Sequence, residues 1–383
     1  MQASNLNPTI PESRLPGRRI VSVLTGLLAG LLSAFSGPLQ AEELKDWTSV
    51  IRESPYWESK GVYSNIRSVR RWILEGQAYC SDENRHIFFD RRGKFLGYME
   101  NADTRAATQQ KLNTTRLKFT RDGRSDYWVP GSAGNTGYPF ALACKQPHVD
   151  LDEAMSRYIG SEAGDLIWGS WDDLSIGSPQ SPRSLHQALE EIYKVREQQN
   201  RLDLPPEMPR YLAGQLLIES GGRRQAHSAA NARGIMQLST VVLSDCGIAP
   251  PNYWHRLAQL DCAMRLTSQN ARYLRPAFDK LFGHLPKEKR NRLFTLLVVQ
   301  AYHGGATRVK DLLDDPELSQ PAAYLAQHHQ GYSAGDIAFG MIFHNLGRNR
   351  LGLASLYYVV DVELAAEALC EDRRMKKAVL CGL

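Results

Sequence analysis

The chain has 383 residues, enough for two domains of ordinary size or one large one. Its 43% hydrophobic and 23% charged residues exclude a disordered chain and describe a globular one. The 46 basic and 41 acidic side chains leave a formal charge of +5, which suits work on an acidic polymer or surface, whereas the lack of a basic stripe with interleaved aromatics excludes a nucleic-acid partner.

Arg14, Arg18 and Arg19 precede an unbroken apolar or small run over 20–35, followed by SGPLQAEE with Leu39 and Ala41 placed before a cut. A basic start, a run of this length and a small residue before the cut predict a secretory signal peptide over 1–41 and delivery to the periplasm. An uncleaved membrane anchor is the alternative, but the run is shorter than the roughly 20 residues that span a bilayer. No cysteine precedes Cys80, so no lipid anchor is expected. The Arg18–Arg19 pair lacks the surroundings of a twin-arginine signal.

Residues 42–176 read as a small β-containing domain. HIFFDRRGKFLGYME (86–100) is two short aromatic-rich runs about a turn at Arg92–Gly93, and RLKFTRDGRSDYWV (116–129) predicts a second hairpin about Asp122–Gly123. Tyr98, Tyr127 and Trp128 serve either as core or as a sugar-binding surface. LSIGSPQSPRS (174–184) carries two prolines and several serines, so a linker is placed at 177–184. From 185 to 383 the pattern is helical, with Ser184 as the first cap and further runs at 207–219, 235–246, 261–283, 288–302 and 335–380. The expected fold class is therefore α+β, an all-α C-terminal domain preceded by a small β-containing one. Six cysteines remain after 41, and proximity favours Cys80–Cys144, Cys246–Cys262 and Cys370–Cys381 over free thiols. No C-x-x-C spacing or histidine cluster predicts a metal.

Met208, Leu212, Leu216 and Glu219 share one helix face, and Leu217 and Ile218 make the last turn apolar all round. Gly221–Gly222 supplies a left-handed stop. A carboxyl placed there is partly desolvated and lies at the negative end of the helix dipole, so its protonated form is favoured, as a general acid requires. The bland alternative is a solvated glutamate at a helix end.

Glu219–Ser220, then Ala226–His227–Ser228, then Gly234–Ile235–Met236–Gln237 resemble the E-S, A-x-S and G-[LI]-M-Q elements of the soluble-type (SLT) lytic transglycosylases, relatives of goose-type lysozyme. Over 261–283 the chain is similar to the family's Y-L…F helix. Ala301–Tyr302–His303 matches its A-Y-N segment with histidine for asparagine, and 353–362 resembles E-T-x-x-Y-V, with Ser355 at the threonine and Tyr358 at the tyrosine. Arg223–Arg224 and the missing glutamate before Ser355 are further departures. The resemblance covers about 200–365. It implies a lysozyme-like fold for the C-terminal domain, peptidoglycan glycan strands as substrate and no cofactor. It also implies Glu219 as the single acid and base in non-hydrolytic cleavage between N-acetylmuramic acid and N-acetylglucosamine, with a 1,6-anhydro product. Ser220, Met236, Gln237, Tyr302, His303 and Tyr358 would shape the cleft, with the hydroxyls of Tyr302 and Tyr358 orienting Glu219 or the sugar. A hydrolytic muramidase aided by a second carboxylate (Asp203, Glu207 or Asp245) and a non-catalytic wall-binding scaffold are the alternatives. The N-terminal domain is the expected contact for a cell-envelope protein partner.

Overall fold

In the computed structural model the described residues are 55–75, 80, 82–90, 92–124, 140–145 and 150–382. The expected signal peptide, its cut and Tyr127 and Trp128 lie outside them. Helices dominate and strands are few, so the chain is a mixed α+β protein. Helix α1 (Val62–Glu75) is followed by strands β1 (Arg85–Phe89) and β2 (Phe95–Glu100), helix α2 (Arg105–Arg121) and strand β3 (Phe140–Ala143). The sheet is antiparallel in the order β2-β1-β3, with Ile87 opposite Tyr98 and Leu142. Alternation along the strands sends residues to opposite faces. Ile87, Phe89, Phe140 and Leu142 join the main helical core, while Phe88, Leu96, Met99 and Ala141 form a smaller core with Leu112 and Phe119 of α2. The sheet thus has a helix on one face and the main body on the other.

The expected second hairpin is not formed over its described part: 116–121 is the end of α2. Thr108, Leu112 and Arg116 fall four apart and are buried. Gly123, at φ +62°, ends the helix as the Arg124 amide donates to the Phe119 carbonyl at 2.9 Å and the Asp122 amide to Lys118. A left-handed glycine serves a helix stop as well as a hairpin turn, and Asp-Gly alone does not separate the two.

Helix α3 (Leu151–Ile159) and the short strands β4 (Gly169–Trp171) and β5 (Leu174–Ile176) come next. Within the stretch expected as a linker, 177–184, backbone bonds join Ser178 to Ser181, and Ile167 pairs with Arg183. Ser184 then caps α4 (Leu185–Gln198) in a reciprocal box with Gln187. Helices α5 (Met208–Ser220), α6 (Thr240–Asp245), α7 (Arg256–Phe282), α8 (Lys287–Gly304), α9 (Ala306–Asp314), α10 (Gln320–Gln327), α11 (Ala334–Phe343) and α12 (Leu353–Glu371) complete the chain. The described residues form one compact unit. Among them, no helix is long and apolar enough to cross a membrane. The expected helix over 235–246 is shorter than its pattern, because 234–237 is turn, Leu238 bridges to Arg233 and Ser239 caps α6. Disulfides join Cys80 to Cys144, Cys246 to Cys262 and Cys370 to Cys381.

Helix α5 is the axis of the fold. A side chain at Gly214 would overlap the Val362 carbonyl, so glycine lets α5 and α12 approach closely. Tyr211 meets Glu363, and Gln215 and Glu219 meet Tyr358, so the two helices run antiparallel. At their far end the fully buried Glu363 accepts from Tyr63 at 2.7 Å, Arg67 at 3.0 Å and Tyr211 at 3.3 Å, and also from Arg292. Arg70 grips Asp361 with two bonds of 2.7 Å. These pairs fasten α1 to α12, and Glu363 also fastens α5 and α8 to it.

Candidate active site

Glu219 occupies the last turn of α5, and the helix stops there because Gly221 (φ +59°) and Gly222 (φ +75°) take left-handed conformations. The Arg157 guanidinium donates to the Gly221 carbonyl at 2.6 Å, which pins the stop. Glu219 as a residue is half-buried. Burial is the dominant influence and raises its pKa to about 7, against the lowering effect of a Tyr358 hydrogen bond. No second charge contributes to that shift. The Tyr358 hydroxyl donates to Glu219 Oε1 at 2.6 Å and accepts from Gln215 Nε2 at 3.2 Å. It is buried, and burial together with the facing carboxylate holds its pKa well above that of free tyrosine, so it stays a donor. The His303 ring stacks on Tyr358 with centroids 4.3 Å apart and planes 17° from parallel. Desolvation and then Arg308 lower the His303 pKa, which favours its neutral ring at pH 7.

Four other sequence-selected residues build the loop behind the carboxyl. Ser220, buried, donates to the Ile235 carbonyl at 2.7 Å and accepts from the Gly222 amide. Met236 is in the core. Gln237, at φ +46°, folds its amide inward and donates to the Ala226 and Gly234 carbonyls at 2.9 Å each. Tyr302, whose hydroxyl was expected to orient Glu219 or the sugar, donates to the Met236 carbonyl at 2.7 Å. These side chains satisfy buried backbone groups that an irregular loop would otherwise leave unpaired. Of the six expected cleft residues, Tyr358 bonds the carboxyl, His303 stacks on Tyr358, Tyr302 lies near enough to feel the Glu219 charge, and the others shape the loop behind.

Gln259 was missed. It is fully buried on α7, accepts from the Met236 amide at 2.9 Å, and donates to the Arg233 carbonyl at 3.0 Å and to that of Tyr253. Gly234 (φ +70°) lies so near that a Cβ there would overlap the Gln259 amide. A polar residue on the apolar face of a long helix was the available signal. Gln215, another missed residue, stands one turn before Glu219 and carries the Tyr358 hydroxyl. Of the candidate second carboxylates, Glu207 is taken by the Thr295 hydroxyl at 2.7 Å. Asp203 receives the Ser268 contact through its backbone amide, and Asp245 lies beside Cys246 and Arg265. Among the described residues no group of three His, Cys, Asp or Glu side chains converges as a metal site would.

The Tyr358 bond gives a testable sign. It stabilises the carboxylate, so Tyr358→Phe raises the Glu219 pKa further. The acid form is present below that pKa and lost as pH rises through it, so the alkaline limb of activity moves upward by about one pH unit. A pH–rate profile of the variant checks this, and a limb that stays in place or moves down contradicts the pairing.

No family model matches the chain. Over 171 residues it is 29% identical to acid ceramidase of Pan troglodytes, a stretch covering 43% of this chain and 41% of that protein. The chain thus spans under half the length of the curated relative it matches. This match corrects the expectation of a peptidoglycan lytic transglycosylase: the relative is named for an enzyme of ceramide, a lipid amide, and not for one that cuts a glycan strand.

Proposed function

We propose that the chain is an acid–base enzyme in which protonated Glu219 gives its proton to the leaving group of the bond that breaks. The observation that carries this reading is the carboxyl itself, with a pKa of about 7 and Oε1 held by Tyr358 at 2.6 Å, on a residue that is partly exposed. Glu219 gives its proton to the departing atom as the bond to it breaks, and the oxygen of an incoming hydroxyl or water bonds to the atom left behind. The carboxylate takes the proton of that hydroxyl or water, which restores the acid. Tyr358 donates to Oε1 throughout and leaves Oε2 to exchange the proton. His303, stacked on Tyr358, limits the ring to one orientation. All six cysteines are in disulfides and the Ser220 hydroxyl is committed to a backbone carbonyl, so neither supplies a nucleophile for amide cleavage at this carboxyl. The same reading takes 185–383 as a lysozyme-like helical domain, and the three disulfides suit an oxidising compartment.

The test is product analysis by mass spectrometry. N-acetylated β-1,4 oligosaccharides and, in parallel, a short-chain ceramide are incubated with the protein and with Glu219→Gln. Cleavage of one of the two by the parent protein alone is expected. Equal cleavage by both proteins, or cleavage of neither, overturns the reading.

A further inference from the structure

From Ser220 to Leu260 the chain carries four arginines and two histidines against a single carboxylate, Asp245. Asp245 lines a cavity with Arg201, Arg265 and Arg272 and is spent there. Among the described residues, none of Arg223, Arg224, Arg233 and Arg256 has an ion pair.

The fold gathers these cations. The loop over 221–239 doubles back, so that His227 and Arg233 pair across an antiparallel bridge. Asn231 Oδ1 accepts from Arg233 Nη2 at 2.7 Å and lies 3.0 Å from His227 Nε2. The Arg233 guanidinium stands 5.7 Å from the centre of the Trp254 ring and 5.9 Å from that of Tyr253. An aromatic face attracts a guanidinium but leaves its charge in place. Arg256 donates to the carbonyls of Asp165 at 2.8 Å and Leu166 at 2.7 Å, which hold it without neutralising it. Burial and then Arg224 lower its pKa to about 10, and the Asp165 carboxylate opposes that only in part. The same Arg224 acts on His255. Arg224, His255 and Arg256 are therefore neighbours. Glu162 and Asp165 flank Arg256 on the segment it grips and temper its charge, but the three arginines of the loop keep theirs.

Apolar side chains stand beside the cations. Trp168 follows the carbonyls that hold Arg256 and is 56% exposed. Val241, 68% exposed, comes three residues after Leu238, whose backbone pairs with Arg233. A dissolved polyanion gains little from an exposed indole and valine. At a bilayer surface an indole rests at headgroup level and arginines meet the anionic headgroups.

We infer that this patch docks the protein peripherally on an anionic lipid bilayer, with Arg223, Arg224 and Arg233 among the headgroup phosphates and Trp168 at their level. The loop starts two residues beyond Glu219, so docking brings the end of α5 close to the lipid surface. The inference stands whichever bond Glu219 breaks.

Co-sedimentation of the full chain with phosphatidylcholine vesicles, with and without phosphatidylglycerol, tests it. The parent protein is expected to partition more strongly onto the anionic vesicles. Each basic residue near such a surface is worth about fivefold, so Arg223→Gln/Arg224→Gln lowers that partition about 25-fold. Both side chains are exposed, so the fold is expected to hold, and thermal unfolding verifies that. Trp168→Ala removes apolar area from the contact and lowers the partition about tenfold, while binding to immobilised polyaspartate stays the same. Equal partition of the parent onto both kinds of vesicle overturns the inference, as does an arginine variant that partitions like the parent. Loss in the arginine variant with none in Trp168→Ala, on vesicles and polyaspartate alike, also overturns it and assigns the patch to an acidic polymer.

Discussion

Glu219→Gln is expected to lower kcat by a factor on the order of 10² to 10⁴, the range that a positioned general acid contributes. Glutamine preserves shape and still accepts from the Tyr358 hydroxyl, but it has no proton to give. Substrate affinity should therefore change little, and the loss should lie in kcat. The same substitution has an opposite effect on stability. The folded-state pKa of about 7 exceeds the ordinary carboxyl value of 4.5, so the folded protein binds more protons than the unfolded chain between those values. Stability falls as pH rises through that window, and above it the buried carboxylate costs up to about 3 kcal/mol. Glutamine removes this cost, so Glu219→Gln should melt at a higher temperature than the parent at pH 8 and at nearly the same temperature at pH 4. Equal melting temperatures at both values, with kcat retained, would show Glu219 to be a solvated helix-end carboxylate.

The second large effect is on the fold. Glu363→Ala leaves Arg67 and Arg292 without their shared carboxylate and the Tyr63 and Tyr211 hydroxyls without their acceptor. Breaking a buried charged cluster from one side costs about 3–5 kcal/mol. For a chain of this size that corresponds to a fall of about 10 °C in melting temperature. Circular dichroism melts decide it, and a change within 2 °C would mean that water replaces the carboxylate freely. Glu363→Gln keeps an acceptor for the tyrosines and should fall between the two. Because Glu363 and Tyr358 lie on one face of α12 against α5, the alanine variant should also loosen the Tyr358–Glu219 pair and lower turnover below the melt.

The helical body was legible because its pattern is local. Ser184 with Gln187 announces the start of α4, and the apolar turn Leu216–Leu217–Ile218 followed by Gly221–Gly222 announces a buried helix end at Glu219. Tyr358 was legible through the motif it resembles, as a hydroxyl orienting Glu219 or the sugar, but the distance over which it does so depends on how closely α5 and α12 approach at Gly214. Gln237 and Tyr302 were read as facing the cleft from their places in the motifs they resemble. Backbone carbonyls of the 226–236 loop claim them instead, and an unpaired carbonyl leaves no mark in sequence. Helix α2 was hidden by Asp122–Gly123, whose left-handed glycine is common to two kinds of chain reversal. The peptidoglycan assignment rested on short motifs within under half of the chain, and the relative found over 171 residues does not carry it.

Gly234 and Gln259 have a consequence for how this sequence can vary. Any side chain at 234 collides with the Gln259 amide, and any shorter residue at 259 abandons the Met236 amide and the Arg233 and Tyr253 carbonyls. Neither position can drift alone, so substitutions there must arrive together or not at all. The shape of the loop behind Glu219 is thus stored partly in a helix outside the loop. Grafting 221–239 onto another helical scaffold transfers the loop's letters but not its conformation unless Gln259 travels with it.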